Sequence, residues 1–182
     1  MTAPKALLAA FVFALALAAQ AHRLDEYLQA ATVAVASDRV ALHLRLTPGV
    51  EVADAVIAGI DRDGNGVLSQ AEWADYAAGV QADLHLEADG APLPLRLTGA
   101  RFADATRMRQ GEATILLDFE ADLPRADGPR SLVFENRHRR DIAVHLVNAL
   151  APRDPAVRIL GQRRSPDQSS WRLDFVLESP GI

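Results

Sequence analysis

The sequence predicts a mainly β protein, an antiparallel β-sandwich that carries one helix–loop–helix insert at 50–82. Three observations support this fold class. Short segments in which apolar and polar residues alternate recur along the chain, as in strands with one buried and one exposed face. Turn residues separate these segments, and the alternation gives way to a helical spacing only within 50–82. Finally, the sequence is 49% hydrophobic and 24% charged, which is close to the average of globular proteins. It contains no cysteine, but a chain of 182 residues is long enough to form a hydrophobic core without disulfides.

The first 21 residues are expected to be a signal peptide that is not part of the fold. Lys5 precedes an apolar run at 6–19, and Ala19-Gln20-Ala21 matches the small-x-small pattern of a cleavage site. A helix of that length would be about 21 Å long, short of the ~30 Å hydrocarbon core of a bilayer. Cleavage near Ala21 would give a periplasmic or secreted protein that begins at His22, forms one domain at 22–182 and has no transmembrane span.

Strand-like alternation is found in eight segments. They lie at 28–36, 40–46, 84–88, 93–97, 115–120, 132–134, 142–146 and 171–177. Ser37-Asp38 is the predicted turn between the first two, and Asp89-Gly90 is predicted to join 84–88 and 93–97 as a hairpin. The polar segment Ser165–Ser170 is the expected hairpin loop before the last strand.

The insert is predicted to contain two short amphipathic helices. In the first, at 50–60, apolar residues fall at 52, 55, 56 and 60, and Val52, Val56 and Ile60 form the face expected to pack on the sandwich edge. In the second, at 71–80, the corresponding face comprises Trp73, Ala77 and Val80.

The segment between the two helices matches the calcium-loop pattern D-x-[DN]-x-[DN]-G-x₅-E at every defined position. It runs from Asp61 to Glu72 and reads Asp-Arg-Asp-Gly-Asn-Gly-Val-Leu-Ser-Gln-Ala-Glu. Calcium takes about six to eight oxygen ligands, and Gly66 permits the sharp reversal that brings such ligands together. The predicted donors are the side chains of Asp61, Asp63, Asn65 and Glu72, the backbone carbonyl of Val67, and a water held by Ser69. Ser69 and Glu72 also have the spacing of a capping box at the start of the second helix.

With its flanking helices, the segment 51–81 resembles an EF-hand calcium-binding unit. The resemblance implies direct ligation by Asp61, Asp63, Asn65, Val67 and Glu72, with Ser69 acting indirectly. No second loop with this spacing occurs in the sequence, and only three acidic ligands are available. Weak binding, with a Kd of about 10⁻⁴–10⁻³ M, and a structural rather than a switching role are therefore expected.

The order of segments is similar to that of periplasmic domains at the N-terminus of bacterial nickel/cobalt-transporter-like membrane proteins. The similarity comprises the signal peptide, the start His22–Tyr27, a strand that begins near Ser37–Val40, the calcium loop, and the strand–turn–strand at 84–97. In those proteins transmembrane helices follow the soluble domain, whereas none is found here up to Ile182. The resemblance therefore implies no transport function for this chain.

The sequence is also compatible with two binding functions other than calcium binding. The free amine and imidazole of His22 would form a chelating pair, which one of His43, His85 and His145 could complete as a copper or nickel site. All three of these histidines fall on the polar face of their predicted strands. The basic segment Arg137–Arg140 is a candidate contact for a membrane-protein partner or another periplasmic protein, although Glu135 and Asp141 flank it.

Neither catalysis nor nucleic-acid binding is expected. The sequence lacks the G-x-S-x-G, H-E-x-x-H and G-x-x-x-x-G-K-[ST] motifs, so the protein is predicted not to be an enzyme. A net charge of −5 opposes binding to phosphates, and a 5% aromatic content leaves few rings on which bases could stack.

Overall fold

The computed structural model describes residues 25–178, and more of these residues lie in β-strands than in helices. The strands are β1 (Tyr27–Val35), β2 (Arg39–Pro48), β3 (Leu84–Ala88), β4 (Ala91–Pro92), β5 (Arg96–Arg101), β6 (Ile115–Asp122), β7 (Gly128–Asn136), β8 (Ala143–Ala149), β9 (Val157–Arg164) and β10 (Ser170–Leu177). The helices are α1 (Ala53–Ile60), α2 (Gln70–Asp83) and α3 (Ala105–Arg109). The predicted signal peptide and His22 lie outside the described residues.

The strands form two five-stranded sheets, which confirms the mainly β class. The first sheet has the order β5-β6-β2-β1-β8 and the second the order β4-β3-β7-β10-β9. Buried residues from both sheets belong to one apolar cluster, which includes Leu44 and Phe119 from the first and Phe134 and Phe175 from the second. The two sheets thus enclose a common core, as in a β-sandwich.

The prediction that all strands pair antiparallel is wrong for one pair. β1 and β2 form the expected hairpin, but β8 lies parallel to β1 on its other side, with Tyr27 beside Ala143. A parallel pair requires a long crossover connection. Here the chain passes through the second sheet before β8 returns to the first.

The parallel pairing also reverses the predicted face of β8. In its register Gln29 lies beside His145, and both side chains are buried. Leu146, predicted to be buried, is 41% exposed, whereas His145 is only 6% exposed. The prediction that His145 lies on a solvated face is therefore wrong. Burial lowers the pKa of His145, and its Nδ1 atom has no hydrogen-bond partner within residues 25–178.

The predicted hairpin at 84–97 is confirmed at its turn and wrong in its second strand. Only two residue pairs, Glu87 with Pro92 and Ala88 with Ala91, continue the ladder beyond Asp89-Gly90. Pro92 and Pro94 have no N–H to donate, so the ladder ends there. The chain then crosses to the first sheet, where β5 pairs with β6.

The helical insert lies between β2 and β3, as predicted. α1 buries Val56, Ile57 and Ile60 in the core cluster, and α2 buries Trp73, Ala77 and Val80. Of the predicted face Val52, Val56 and Ile60, the last two are buried and Val52 is partly buried, while Ala53 and Ile57 are buried in addition. Both helices are thus anchored in the sandwich core, and the loop that joins them has fixed ends. Within the described range, no helix combines the length and the apolar character needed to cross a bilayer.

Candidate metal centre

The two ends of the loop 61–72 are fixed by helix boundaries. The Asp61 amide donates to the Ile57 carbonyl at 2.8 Å and ends α1. At the other end, Ser69 caps α2, because its hydroxyl accepts from the Glu72 amide at 3.3 Å. In return, Glu72 Oε2 accepts from the Ser69 amide at 2.8 Å, which completes the predicted capping box.

The acidic side chains of the loop fold inward onto its own backbone. Asp61 accepts from the amides of Asn65 (3.1 Å) and Gly66 (2.9 Å). Asp63 also accepts from the Asn65 amide, at 3.1 Å, and Asn65 Oδ1 accepts from the Val67 amide at 2.7 Å. The left-handed backbone at Gly66, with φ of 80°, turns these amides toward the carboxylates.

Glu72 closes the loop from the opposite side. The residue is 8% exposed, and its Oε1 atom accepts from the Arg62 amide at 2.8 Å. Hydrogen bonds from the amide and hydroxyl of Ser69 hold the pKa of Glu72 below its usual value. Glu72 is therefore ionised at neutral pH and lies against both the first and the last part of the loop.

The carboxylates of three predicted ligands lie close together. One carboxylate oxygen each from Asp61, Asp63 and Glu72 lies within 4.8 Å of the other two. The Asn65 backbone amide donates to both aspartates and its side-chain Nδ2 donates to Asp63 Oδ2 at 2.7 Å, so ligation through Asn65 Oδ1 stays a prediction. This donor set consists of hard oxygen atoms, the ligands that calcium and magnesium prefer.

The two remaining predicted ligands are Val67 and Ser69. The Val67 side chain is 68% exposed, and the role predicted for Val67 belongs to its backbone carbonyl. The Ser69 hydroxyl lies 2.8 Å from Glu72 Oε2, so it is engaged by the carboxylate in this structure. Ligation through the Val67 carbonyl and through a water on Ser69 stays a prediction.

The sandwich core supports the loop directly. Leu68, in the second half of the loop, packs against the core cluster. Trp73, directly after Glu72, stacks on Phe102 with ring centroids 4.3 Å apart and planes inclined by 16°. The stacking of Phe102 was not predictable, because nothing in the local pattern at 98–104 indicates a partner for α2.

The other histidines do not join a metal cluster in the structure. His43 Nδ1 lies 2.7 Å from Asp118 Oδ1 on the exposed face of the first sheet, and His85 is an exposed residue of β3 whose Nε2 atom contacts Arg137 Nη1 at 3.3 Å. His145 lies on the buried face of β8, beside Gln29 of β1. Within residues 25–178, the loop carboxylates form the only cluster of three or more His, Cys, Asp or Glu side chains with metal-binding spacing. The copper or nickel hypothesis therefore depends on His22, outside the described range.

The basic segment Arg137–Arg140 is partly neutralised within the protein. Arg137 and Arg140 each lie 2.5 Å from a different oxygen of Glu135, and Arg139 pairs with Asp141 at 3.1 Å. The fourth residue, His138, is buried. Three arginines thus share two carboxylates, and a contact of this segment with a partner stays a prediction.

Gly66 and Gly79 give a matched pair of glycine substitutions. Replacing Gly66 by Ala is expected to destabilise the protein by about 1–2 kcal/mol, because φ is 80° and the cost comes from the backbone alone. Gly79 lies inside α2, where an added Cβ meets nothing within 4 Å, so Ala there should stabilise by about 0.5–1 kcal/mol. Urea unfolding measures both changes, and shifts of the same sign would contradict the backbone assignment.

Comparisons with protein-family models, with curated proteins and with solved structures found no match for this chain. The functional interpretation therefore depends on the loop itself, namely its sequence pattern, its converging carboxylates and its attachment to the core.

Proposed function

We propose that this protein is an exported calcium-binding module in which the single EF-hand-like loop Asp61–Glu72 binds one Ca²⁺ in a structural role. The observation that carries the proposal is the convergence of three carboxylates, with oxygens of Asp61, Asp63 and Glu72 within 4.8 Å of one another. The loop pattern supports the same ion, because its spacing supplies side-chain, amide and backbone oxygens to one centre. The apolar run and cleavage pattern within 1–21 support export.

The chemistry of the donors favours calcium over other divalent ions. Copper, nickel and zinc sites use nitrogen or sulfur ligands, and the loop offers neither. Magnesium demands a smaller and nearly octahedral shell and keeps several of its waters. A twelve-residue loop with mixed carboxylate, amide and carbonyl donors is better suited to the larger and more flexible shell of calcium.

Attachment to the core supports a structural role. The cation neutralises three carboxylates that otherwise repel one another, and it connects the end of α1 to the start of α2. Both helices bury apolar faces in the sandwich, and Leu68 anchors the loop between them. A large change in the angle between α1 and α2 would expose these faces, so calcium is expected to fix the insert in place. Three acidic ligands are consistent with a Kd of about 10⁻⁴–10⁻³ M, which suits calcium concentrations outside the cytoplasm.

Thermal unfolding in chelator and in calcium tests this proposal. A ligand at about ten times its Kd stabilises the native state by about 1.4 kcal/mol, which for a domain of this size raises Tm by about 3–6 °C. Magnesium at the same concentration is the control and should raise Tm much less. Equal Tm values in calcium and in chelator would contradict the proposal.

A further inference from the structure

A buried line of hydrogen bonds joins α2 to the sandwich, beginning one helical turn beyond Glu72. The Tyr76 hydroxyl lies 2.5 Å from the Tyr27 hydroxyl on β1 and 3.2 Å from His138 Nε2. On the other side of the imidazole, His138 Nδ1 lies 2.8 Å from Asp83 Oδ2 at the end of α2. Two residues of α2 thus hold the His138 ring between them.

The backbone of His138 is held mainly by the sandwich. Its amide donates to Asn136 Oδ1 at 2.9 Å, and its carbonyl accepts from Gln29 Nε2 at 3.0 Å. Asn136 and Gln29 are themselves joined by a 2.7 Å hydrogen bond between β7 and β1. One backbone bond links the preceding residue to α2, because the Arg137 amide donates to the Asp83 carbonyl at 2.9 Å. A movement of α2 that breaks this bond would uncover the His138 ring while Asn136 and Gln29 still hold its backbone.

Donor and acceptor rules fix the direction of the line for a neutral imidazole. The Asp83 carboxylate only accepts, so Nδ1 carries the proton of the neutral ring and Nε2 accepts from the Tyr76 hydroxyl. The Tyr76 oxygen then accepts from the Tyr27 hydroxyl, and every bond has one donor and one acceptor. A proton added at Nε2 would meet the Tyr76 hydroxyl proton and would force this hydroxyl to turn away from the ring.

The surroundings of His138 disfavour that second proton. Only 9% of its side chain is exposed, and this burial lowers the pKa of His138, against the opposing effect of Asp83. The Asp83 side chain is 45% exposed, so water screens its charge. The titratable and charged groups that face His138 are Asp83 and Tyr76 of α2, Tyr27 of β1, His145 of β8, and Arg139 and Asp141 of its own segment.

We propose that this line makes the calcium site sensitive to pH, because α2 covers a neutral His138 when the loop holds calcium and protonation of His138 loosens α2 and weakens calcium binding. The inference depends on the proposed calcium function and describes its regulation. Glu72 and the two residues that hold the His138 ring, Tyr76 and Asp83, belong to the same helix.

The sign of the effect follows from linkage. With calcium bound, α2 is fixed and burial keeps the pKa of His138 low. Without calcium, the three loop carboxylates repel, α2 is freer to move away, and water returns the pKa of His138 toward its ordinary value of about 6.5. The calcium-free protein then binds the proton more readily, so acid must weaken calcium binding by the same factor. The effect is confined to pH values below about 7, where the imidazole begins to titrate.

The experiment is a calcium titration of the whole protein by calorimetry at about pH 7.5 and about pH 5.5, values on either side of the ordinary histidine pKa. The Kd is expected to rise by about three- to tenfold at the lower pH. At about pH 6.5, calcium binding should release protons, so the measured heat should change with the ionisation enthalpy of the buffer. Carboxylates, which titrate near pH 4, remain largely ionised over this range.

The matched variants are His138→Gln and His85→Gln. The first removes the buried imidazole and should give the same Kd at both pH values, whereas the second removes an exposed imidazole and should keep the pH effect. If His138→Gln does not fold, NMR titration of the His138 ring in the unmodified protein replaces it, with a lower midpoint expected in calcium. Equal Kd values at both pH values without proton release would overturn this inference and leave the calcium function standing. Absence of binding at both pH values would instead overturn the calcium function and, with it, this inference.

Discussion

Exchanging Glu72 for Gln is expected to remove the calcium-dependent stabilisation of the protein while leaving its fold intact. Glutamine has the size of glutamate and keeps one oxygen that can accept from the Ser69 amide. It lacks the second acceptor, which now bonds the Arg62 amide, and it lacks the charge that calcium requires at the closing position of the loop. The rise in Tm between chelator and calcium at about ten times the Kd of the unmodified protein should fall from about 3–6 °C to below about 1 °C.

Asp75→Asn is the control for this substitution. It makes the same change of charge on the same helix, at an exposed residue that pairs with Arg62 at 3.4 Å but has no place in the loop pattern. This variant should keep the full response to calcium. A full response in Glu72→Gln would show that Glu72 is not a ligand. An equal loss in both variants would mean that only the general negative charge of the region matters.

Trp73→Ala is expected to lower the free energy of unfolding by about 3–5 kcal/mol, because it removes a large buried side chain and leaves a cavity. Trp73 is 7% exposed, stacks on Phe102 and contacts Tyr76 edge-on, with ring centroids 6.2 Å apart. It is therefore the main apolar anchor of α2 and follows directly after the closing residue of the loop. Calcium affinity should fall in the same variant, because the helix that carries Glu72 loses its support.

Denaturant unfolding followed by circular dichroism measures this loss, since the substitution also removes one of the two tryptophans that fluorescence would report. Trp73→Phe is the control, because it keeps an aromatic ring against Phe102 and should lose much less stability. A loss below about 1 kcal/mol in Trp73→Ala would mean that the insert is not part of the sandwich core.

Local sequence patterns were sufficient to predict the buried residues of strands that have one buried and one exposed face. The alternation in β2 and β6 gave the buried residues Leu42, Leu44 and Phe119, and the structure pairs Leu42 with Phe119 in one sheet. The twelve-residue loop is also a local pattern, so its positions and its capping box could be predicted directly. The stacking of Trp73, directly after the loop, on Phe102 could not be predicted, because the two residues are distant in sequence.

The burial and pairing of a strand could not be predicted where they depend on residues that are distant in sequence. The face of β8 depends on its register with β1, and apolar residues of both parities, Leu146 and Val147, leave the alternation ambiguous. β9 was not predicted, because it is an edge strand with mostly exposed side chains and an irregular register near Gly161. The Tyr27–Tyr76–His138 line joins three separate elements, so no local sequence signal indicates it.

An NMR titration of the amide resonances with calcium is the sharpest test of calcium binding by the loop, because it reports the binding site and the affinity together. Calcium is expected to give saturable shifts concentrated at 61–72, fitted by one site with a Kd of about 10⁻⁴–10⁻³ M, and magnesium is expected to give much smaller shifts. The absence of saturable shifts at 61–72 up to about 10 mM calcium, or saturation at another part of the chain, would contradict it.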